Sequence, residues 1–390
     1  MKKILVISHK YPPSIGGMER HCYELVKHLS DHYHVHKLIH TPTDGSKVLW
    51  MLSIKKKVQQ YLQKHPDIAL IYLNDGLMAA ACRWLPDITN IPVVATYHGL
   101  DVTFPAAFYQ KKILPKLHRL SLGIAVSDAT RQVCIDRGFA PEKIVTALNG
   151  VDHDLADIPT DDSVLHSLAA AADFDLKGRK VLVTMGRAVP RKGFSWFLTS
   201  VVPHLDDDTV LIMIGPISEK ATLFSRAKKL LPRSLDHMLN LFLGYPDDEE
   251  AVQKELQNPT IASKVLHLGK LPFQQLMQVL SAADLFVMPN ISIEGDAEGF
   301  GLVALEASLR GTPVIASDIE GITSAVTHGQ NGFLIPSADQ QAWIDTIREV
   351  LADREALKKL SYDGQQYSIE HYSWSKMANE YRDAFESVMK

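Results

Sequence analysis

Short apolar runs alternate with amphipathic stretches along most of the chain. Runs rich in Val, Ile and Leu predict buried strands, and the stretches between them have the spacing of helices. Strands are predicted at 4–8, 35–39, 68–73, 93–97, 123–126 and 144–147, and helices at 19–29, 47–63, 76–85, 106–118 and 129–136. Strands that alternate with helices are typical of a parallel sheet covered on both faces.

The alternation restarts after residues 152–177, a connection rich in Asp and Ala that is predicted to carry a short helix. Further strands are predicted at 180–185, 210–214, 265–268, 285–288 and 313–316, and further helices at 194–203, 273–282 and 303–310. We therefore expect two tandem, Rossmann-like, doubly wound α/β domains, residues 1–175 and 176–372. Ligands in such sheets bind beyond the carboxyl ends of the strands, so a ligand is expected in a cleft between two facing sheets.

Composition supports a two-domain globular protein, because 390 residues exceed one ordinary core. Cys22, Cys82 and Cys134 are widely spaced, which indicates neither a disulfide framework nor a structural zinc site. The N-terminus does not resemble a signal peptide and no apolar run is long enough to cross a bilayer, so a cytoplasmic protein is expected.

Charge is unevenly spread between the two halves. Residues 1–160 hold 19 basic and 14 acidic residues, although the net charge of the whole chain is −4. This asymmetry favours an anionic partner for the N-terminal half but is too mild to indicate nucleic acid.

The segment 294–307 is the richest in candidate chemistry. Gly299 and Gly301 would let a ligand approach the backbone, and a helix that begins near Leu302 would direct free N–H groups at an anion. Glu298 could accept hydrogen bonds from sugar hydroxyls, and Glu306 could accept them from a ribose. The alternative is that Glu298 is a helix cap and Glu306 an ion-paired helix residue. If they were helical, the eight residues from Glu298 to Glu306 would span about 12 Å, more than the roughly 5–10 Å between the two carboxylates of a glycosidase. The two glutamates are therefore expected to contact different parts of one elongated ligand and not to act as a hydrolase pair.

Three other candidate segments lie in loops that follow predicted strands. Arg187, Arg191 and Lys192 form a basic loop that suits a phosphate, or a solvated surface loop. Gly16 and Gly17 permit close approach of a ligand, but neither a GxGxxG fingerprint nor a P-loop is present. His98 would face a ligand or be a satisfied structural group.

Two clusters have simpler alternatives. His32, His34 and His36 alternate as strand residues that would bind a metal or, as we prefer, face solvent. The lysines of 55–57 and the basic residues of 111–119 form solvated helix faces or a peripheral patch for anionic lipid.

In their shared order, these and further segments resemble the family-4 retaining glycosyltransferases of the GT-B fold over nearly the whole chain. The matching segments are Gly16-Gly17-Met18-Glu19, His98-Gly99-Leu100-Asp101, Val126-Ser127, Asn149-Gly150-Val151-Asp152, Gly186-Arg187, Lys192-Gly193, Gly269-Lys270-Leu271-Pro272, Ala283-Asp284-Leu285-Phe286-Val287, Glu298-Gly299-Phe300-Gly301-Leu302, Glu306, Gly311-Thr312-Pro313-Val314-Ile315-Ala316, Asn331-Gly332-Phe333-Leu334 and Tyr372-Ser373-Trp374. The resemblance implies that a terminal helix, 373–390, crosses back onto the first domain.

The resemblance also implies roles for individual residues. His98 and Glu298 would be catalytic, and Gly16, Glu19 and Asp101 would lie on the acceptor side. The donor site implied by the resemblance comprises Gly17, Arg187, Lys192, Lys270, Leu271, Glu298, Gly299, Phe300, Gly301, Leu302 and Glu306. Within it, Arg187 and Lys192 would hold the diphosphate, Glu306 the ribose, and Gly269–Leu271 the base.

The implied activity is transfer of a hexosyl-type sugar from a nucleoside-diphosphate sugar, with retention of configuration and without a metal or other cofactor. A glycan, a lipid-linked molecule or a small molecule would be the acceptor, and the basic patch would allow contact with the inner face of the membrane. The alternatives are a GT-B relative with epimerase or phosphorylase activity and a nucleotide-sugar-binding protein without catalysis. A nicotinamide dehydrogenase fits less well, since its fingerprint is absent.

Overall fold

The computed structural model describes residues 1–14, 16–216, 236, 238–241 and 246–389. The chain forms two compact units. Unit 1 comprises Met1–Val151, Glu298–Phe300 and Tyr372–Lys390, and unit 2 comprises Asp152–Ala297 and Gly301–His371. The chain therefore returns to unit 1 at its C-terminal end.

Unit 1 is built on a sheet of six parallel strands. They are β1 (Lys3–Ser8), β2 (His34–Ile39), β3 (Ile68–Leu73), β4 (Val93–Tyr97), β5 (Leu122–Ala125) and β6 (Ile144–Thr146), in the order β2-β1-β3-β4-β5-β6. The register pairs Ile4 with Val35 on one side and with Leu70 on the other.

Helices cover both faces of this sheet. They are α1 (Gly17–Leu29), α2 (Lys47–Lys64), α3 (Gly76–Cys82), α4 (Leu100–Thr103), α5 (Leu114–Leu117) and α6 (Asp128–Asp136), with a π-helix at Tyr109–Ile113 and 3-10 turns at Pro42–Asp44, Leu85–Asp87 and Pro141–Lys143. The C-terminal helix, Trp374–Val388, packs against α1. Polar side chains accept backbone amides at several N-termini, as Ser127 does for α6 and Ser373 for the C-terminal helix.

Unit 2 repeats this plan with another six parallel strands. They are β7 (Lys180–Met185), β8 (Thr209–Ile214), β9 (Val265–His267), β10 (Leu285–Met288), β11 (Val314–Ser317) and β12 (Phe333–Ile335), in the order β12-β11-β10-β7-β8-β9. Their buried side chains form a core with two fully buried aromatic residues of the adjacent helices, Phe197 and Trp343.

The described helices of unit 2 are α7 (Ser163–Ala171), α8 (Phe194–Ser200), α9 (Glu249–Leu256), α10 (Pro259–Ala262), α11 (Phe273–Ala282), α12 (Leu302–Leu309), α13 (Ile322–Ala325), α14 (Gln340–Ala352) and α15 (Arg354–His371). Three 3-10 turns lie at His153–Leu155, Pro190–Lys192 and Val202–His204. The connecting segment packs within this unit, since α7 contacts α11 and the buried Arg310 donates to the carbonyls of Leu155 and Ile158.

The two sheets confirm the prediction of tandem doubly wound α/β domains, and every predicted strand is present within two residues of its expected bounds. The helix predicted at 106–118 is present as a helical stretch at 107–117, but it is not a regular α-helix. Its middle is the π-helix, and α5 follows with Pro115 in its first turn. Proline lacks an amide hydrogen, which interrupts the regular i→i−4 ladder at this point.

Candidate functional site

The strand order of unit 2 locates a ligand site. Strand β7 comes first along the chain, β8 and β9 build outward on one side, and β10 to β12 build outward on the other. In a doubly wound sheet, the carboxyl ends of the two strands at this reversal flank the usual ligand crevice. Met185 ends β7 and Met288 ends β10, so the loops 186–193 and 289–301 border the crevice.

These two loops are joined by direct contacts. Arg191 Nε lies 3.3 Å from Asp296 Oδ2, and the amide of Ile291 donates to the carbonyl of Arg191 at 2.9 Å. Gly193 has φ +66°, and a Cβ added there would overlap the carbonyl oxygen of Pro289. The basic loop and the segment 289–296, far apart in sequence, therefore lie side by side.

The basic loop presents its cations from a defined turn. Arg187 follows Gly186, whose φ of +147° L side chains rarely adopt. Residues Pro190–Lys192 form a 3-10 turn, and the side chain of Lys192 is buried beside Gly186. An ammonium held at the carboxyl end of β7 is suited to bind a phosphate.

Helix α12 begins beside the same crevice. Gly301, at φ +100°, is its N-cap and, as a glycine, has no side chain that could accept the first amides. Ala304, Leu305 and Ala307 are buried, whereas Leu302 and Glu306, one turn apart, are half-buried on one side. The N-terminus thus provides free N–H groups and the positive end of the helix dipole, and Glu306 lies one turn farther along the helix.

Lys270 and Leu271 follow β9 at the same edge of the sheet. The amide of Gly215, after β8, donates to the carbonyl of Gly269, and a Cβ at Gly215 would overlap the carbonyl oxygen of Gly186. The loops after β7, β8 and β9 are therefore packed in a row, and Lys270 and Leu271 lie at the same edge of the sheet as the basic loop.

Unit 1 has a corresponding reversal between β1 and β3. His9 directly follows β1, and Asn74 and Asp75 directly follow β3. His9 Nδ1 lies 3.2 Å from Asp75 Oδ2, with side chains only 6% and 2% exposed. Burial raises the pKa of Asp75, but the hydrogen bond and charge of His9, with the amide of Met78, outweigh burial and leave that pKa below its usual value. Sequence reasoning missed this pair, although both residues come just after predicted strands.

His98 is fixed by the loops around it. Its Nε2 lies 3.0 Å from the carbonyl oxygen of Asn74, so Nε2 carries the hydrogen and Nδ1 is the nitrogen that can accept a hydrogen bond. Asp101 Oδ2 accepts the amides of both His98 and Gly76 at 3.0 Å. Burial raises the pKa of Asp101, and the charge of His98 partly opposes this rise. Asp101 therefore holds the loops after β3 and β4 together.

Gly16, Gly17 and Glu19 lie at the start of α1. Glu19 is buried, and its Oε1 lies 3.2 Å from Lys10 Nζ. A Cβ added at Gly16 would overlap the Glu19 carboxylate, so no larger residue fits that position without movement.

Another residue that the sequence reasoning missed is His21, which is fully buried beside His98. Their rings are 5.1 Å apart in an edge-on arrangement. His21 Nδ1 lies 2.8 Å from Asn149 Oδ1, and its Nε2 lies 3.3 Å from the hydroxyl of Tyr381 in the C-terminal helix. Burial lowers the pKa of His21 to about 3, with the charge of His98 acting in the same direction. The imidazole is therefore neutral, and it links the returning helix to the site.

The segment Glu298–Phe300 groups with unit 1. A Cβ at Gly299 would overlap the carbonyl oxygen of His98, and the Phe300 ring lies 6.2 Å from that of Tyr372. Glu298 is half-buried. His98 and Gly299, predicted from distant motifs, are thus neighbours.

Of the three early histidines, His32 and His34 are exposed and His36 has local partners. His36 lies in β2, with Nδ1 2.9 Å from the hydroxyl of Tyr61 and its ring stacked edge-on against His65. Across the described ranges, no three His, Cys, Asp or Glu side chains are grouped so as to hold a metal ion. Within the same part of the chain, no helix has the length and apolarity needed to cross a bilayer.

Two family models match the chain, "Glycosyltransferase Family 4" over residues 15–155 and "Glycosyl transferases group 1" over residues 227–367. Among curated relatives, a phosphatidyl-myo-inositol mannosyltransferase of Mycobacterium leprae is 25% identical over 359 residues, covering 90% of this chain and 82% of the relative. A D-inositol 3-phosphate glycosyltransferase of Mycobacteroides abscessus is 31% identical over 320 residues, covering 77% of this chain and 62% of the relative.

Solved structures show the same fold. Anabaena Alr3699/HepE in complex with UDP superposes with a TM-score of 0.74 at 21% identity, covering 99% of this chain and 100% of that one. Sucrose-phosphate synthase from Thermosynechococcus elongatus has a TM-score of 0.75 at 19% identity, covering 100% and 99%. The chain thus belongs to the family-4 glycosyltransferases and has the GT-B fold, as its sequence motifs predicted.

Proposed function

We propose that the protein transfers a hexosyl-type sugar from a nucleoside-diphosphate sugar to an acceptor hydroxyl, with retention of configuration and without a metal. The observation that carries the proposal is the junction in unit 2 between the basic loop after β7 and the loop that leads into α12. The Arg191–Asp296 ion pair and the Gly193–Pro289 contact hold these loops together. Cations and helix N–H groups are thus assembled at the ligand crevice.

The donor diphosphate is assigned to Arg187, Lys192 and the N-terminus of α12. Arg187 offers a planar fork, Lys192 a point charge, and Gly299, Gly301 and Leu302 backbone donors. These groups also stabilise the charge on the departing nucleoside diphosphate, which is the role that a metal ion plays in other transferases. Titration with a chelator tests the proposed metal independence directly.

The two glutamates are assigned to different parts of the donor. Glu298 receives hydroxyls of the transferred sugar, and Glu306, on the half-buried side of α12, receives ribose hydroxyls. Lys270 and Leu271, which follow Gly269 at the same edge, border the base. An elongated ligand that runs along the crevice accounts for all three positions.

In the proposed reaction, the bond between the anomeric carbon and the diphosphate oxygen breaks while the acceptor oxygen bonds to the same face of that carbon. The acceptor proton passes to an oxygen of the leaving phosphate, so protons and charge balance. His98 contacts the reacting sugar, and Asp101 and His21 hold His98 in place. The Asp75–His9 pair, together with Gly16 and Glu19, is assigned to acceptor hydroxyls.

The names of two relatives support an acceptor that carries several hydroxyls. One relative is named for phosphatidyl-myo-inositol and another for D-inositol 3-phosphate, the first a lipid and the second a small molecule. We propose a polyhydroxylated acceptor, either lipid-linked or a glycan, reached from the cytoplasmic side of the membrane. A hexose donor is proposed because a structural neighbour was solved with UDP-glucose.

The test is a screen of UDP-, GDP- and ADP-sugars by thermal shift, followed by nucleotide release and by NMR of the product's anomeric configuration. We expect one donor class to stabilise the protein and to give an α-linked product from an α-linked donor. Lys192→Ala should abolish the stabilisation, whereas Lys177→Ala, which removes an exposed lysine before β7, should not.

Other outcomes would change the assignment. An inverted product would contradict retention, and stabilisation by NAD alone would contradict a sugar donor. Conversion of the donor sugar to its epimer without an acceptor would indicate an epimerase. Stoichiometric binding without any turnover, across all donors and acceptors, would indicate a binding protein.

A further inference from the structure

Buried hydroxyl and imidazole groups of unit 1 form one continuous chain of hydrogen bonds. Tyr72 Oη lies 2.7 Å from Thr96 Oγ1, which lies 2.9 Å from Tyr381 Oη. Tyr381 Oη lies 3.3 Å from His21 Nε2, and His21 Nδ1 lies 2.8 Å from Asn149 Oδ1. Asn149 is 6% exposed and the other four residues are fully buried. The chain links β3 and β4 to the C-terminal helix, to α1 and to the loop after β6.

Each hydroxyl has a single hydrogen, and so has a neutral imidazole, which fixes the direction of these bonds. The side-chain oxygen of Asn149 only accepts, so His21 Nδ1 carries the imidazole hydrogen and Nε2 accepts. The Tyr381 hydroxyl therefore donates to Nε2, Thr96 donates to Tyr381, and Tyr72 donates to Thr96. Because these groups are buried, removal of one leaves its neighbour without a partner.

The C-terminal helix organises the partners of both His21 nitrogens. The tyrosine that donates to Nε2 belongs to the helix itself. Glu380 Oε2, from the same helix, accepts the amide of Leu148, one residue before Asn149, at 3.2 Å. A Cβ added at Gly150, one residue after Asn149, would overlap the backbone where the helix begins. The surroundings of His21 therefore depend on the far end of the chain.

His21 transmits this order to His98. The two rings lie 5.1 Å apart in an edge-on arrangement, and His98 Nε2 donates to the carbonyl oxygen of Asn74. Tyr72 precedes Asn74 by two residues, and Thr96 precedes His98 by two residues. The hydrogen bond between Tyr72 and Thr96 therefore ties together the two strands whose carboxyl ends lead to His98 and to its acceptor.

We propose that Tyr381 is a positioning residue for the transfer reaction. Its hydroxyl holds His21 against His98 and so fixes the imidazole that contacts the reacting sugar. The C-terminal helix then acts in the chemistry as well as in packing, because one of its side chains determines where the neighbour of His98 lies. The inference rests on the proposed function, in which His98 contacts the sugar.

Tyr381→Phe removes the hydroxyl and keeps the ring. The Tyr381 ring packs edge-on against the rings of Tyr72 and Phe385, with centroids 5.9 Å and 6.1 Å away, and phenylalanine retains both contacts. A small shift of the imidazoles should lower kcat by about tenfold, since a displacement of about 1 Å can cost about 100-fold. The KM for the donor should change by less than about twofold, because the cations assigned to the diphosphate belong to unit 2.

Tyr33→Phe is the matched control. Tyr33 is also buried, and its hydroxyl donates to Glu386 of the C-terminal helix at 2.8 Å. This variant therefore removes the same group from a different link to the same helix. Both variants should unfold at a lower temperature than the wild type, but Tyr33→Phe should retain the wild-type kcat.

A double-mutant cycle with His21→Gln shows whether Tyr381 acts through His21. Tyr381→Phe should lower kcat by about tenfold in the wild type and by less than about twofold in His21→Gln, because the residue that transmits its effect is already gone.

Nitrogen NMR of labelled histidines, without any substrate, tests the hydrogen bonds themselves. The signal of His21 is identified by its loss in His21→Gln. It should show a protonated Nδ1 and an unprotonated Nε2 in the wild type. Tyr381→Phe should shift the Nε2 resonance, and Tyr33→Phe should leave it unchanged.

The proposal is overturned if Tyr381→Phe and Tyr33→Phe have equal kcat, or if the effect of Tyr381→Phe is undiminished in His21→Gln. It is also overturned if Nε2 of His21 carries the hydrogen, because the tyrosine hydroxyl cannot then donate to it. Failure of the proposed function looks different, since the wild type would then turn over no nucleotide sugar while the NMR result stands.

Discussion

A single methyl group at Gly193 should separate the two loops on which the proposed donor site depends. Gly193 has φ +66°, and a Cβ built there would overlap the carbonyl oxygen of Pro289 and touch Ile291. These are the residues that hold the basic loop against the loop leading into α12. Gly193→Ala therefore changes the distance between the loops without altering a charged group.

The expected effect of Gly193→Ala has two parts, a loss of conformational free energy and a loss of turnover. A non-glycine residue in the left-handed region costs about 1 kcal/mol. Restoring an ordinary carbon–oxygen distance requires the loops to separate by roughly 1 Å, and a displacement of that size in a positioned site lowers turnover by about 100-fold. We expect a loss of kcat/KM of this order, together with weaker binding of the nucleoside diphosphate.

The control variant Gly178→Ala distinguishes the backbone cost of a positive φ from the displacement of the loops. Gly178 has a similar φ, +71°, but an added Cβ meets nothing within 4 Å. This variant should lose about the same conformational free energy and retain nucleotide binding. Thermal unfolding and calorimetric titration of both variants measure the difference.

The reasoning would be refuted if Gly193→Ala and Gly178→Ala bound the nucleotide equally well. That result would mean either that the loops adapt without cost or that their junction is irrelevant to the donor. Greater loss in Gly178→Ala would contradict the location of the site at the carboxyl edge of the sheet.

Three further predictions concern buried titratable groups in unit 1. His21 has a folded pKa of about 3, so below pH 6.5 the unfolded state binds more protons than the folded state. The free energy of unfolding therefore falls by up to about 1.4 kcal/mol for each pH unit of acidification. In hydrogen-exchange measurements, His21→Gln should lessen the loss of amide protection in β1 between pH 7 and pH 5. Asp75 has a lowered pKa, so its contribution is present above about pH 4 and is lost as the pH falls through the folded value. In urea unfolding, Asp75→Asn should destabilise the protein at pH 7, and the difference from the wild type should shrink steadily as the solution is acidified below pH 4. Asp101 has a raised pKa, so stability falls as pH rises from about 4 through that value. In urea unfolding across this range, Asp101→Asn should remove the slope and keep an oxygen that accepts the two amides, whereas Asp101→Ala should remove both. An unchanged pH profile in any variant would contradict the assigned cause.

Most of the strands could be predicted because they are short, continuous apolar runs that are buried on both faces; β2, which alternates His with apolar residues and has no buried position, is an exception. Val93–Tyr97 and Lys180–Met185 match their predicted ranges. Between 318 and 371 no element was predicted, although α13, β12, α14 and α15 lie there. Strand β12, Phe333–Ile335, was missed although β6 and β9 are equally short and were predicted.

The candidate site could be predicted one loop at a time but not as an assembly. Strand order is a non-local property, so sequence could not show that β1 adjoins β3 and thereby brings His9 to Asp75. The same holds for β7 and β10, whose pairing places Arg191 next to Asp296. His21 was missed because a buried histidine on a helix carries no local signature, and its partner Tyr381 comes from the far end of the chain.

The central claim is that the joined loops of unit 2 bind a diphosphate, and calorimetric titration tests it most directly. Nucleoside diphosphates and monophosphates of the preferred base would be titrated into the wild type, Arg187→Ala and the control Lys177→Ala. The account predicts that the diphosphate binds about tenfold or more tightly than the monophosphate in the wild type and the control, and that Arg187→Ala loses most of this preference. Equal affinity for the two nucleotides in the wild type, or an unchanged preference in Arg187→Ala, would contradict it.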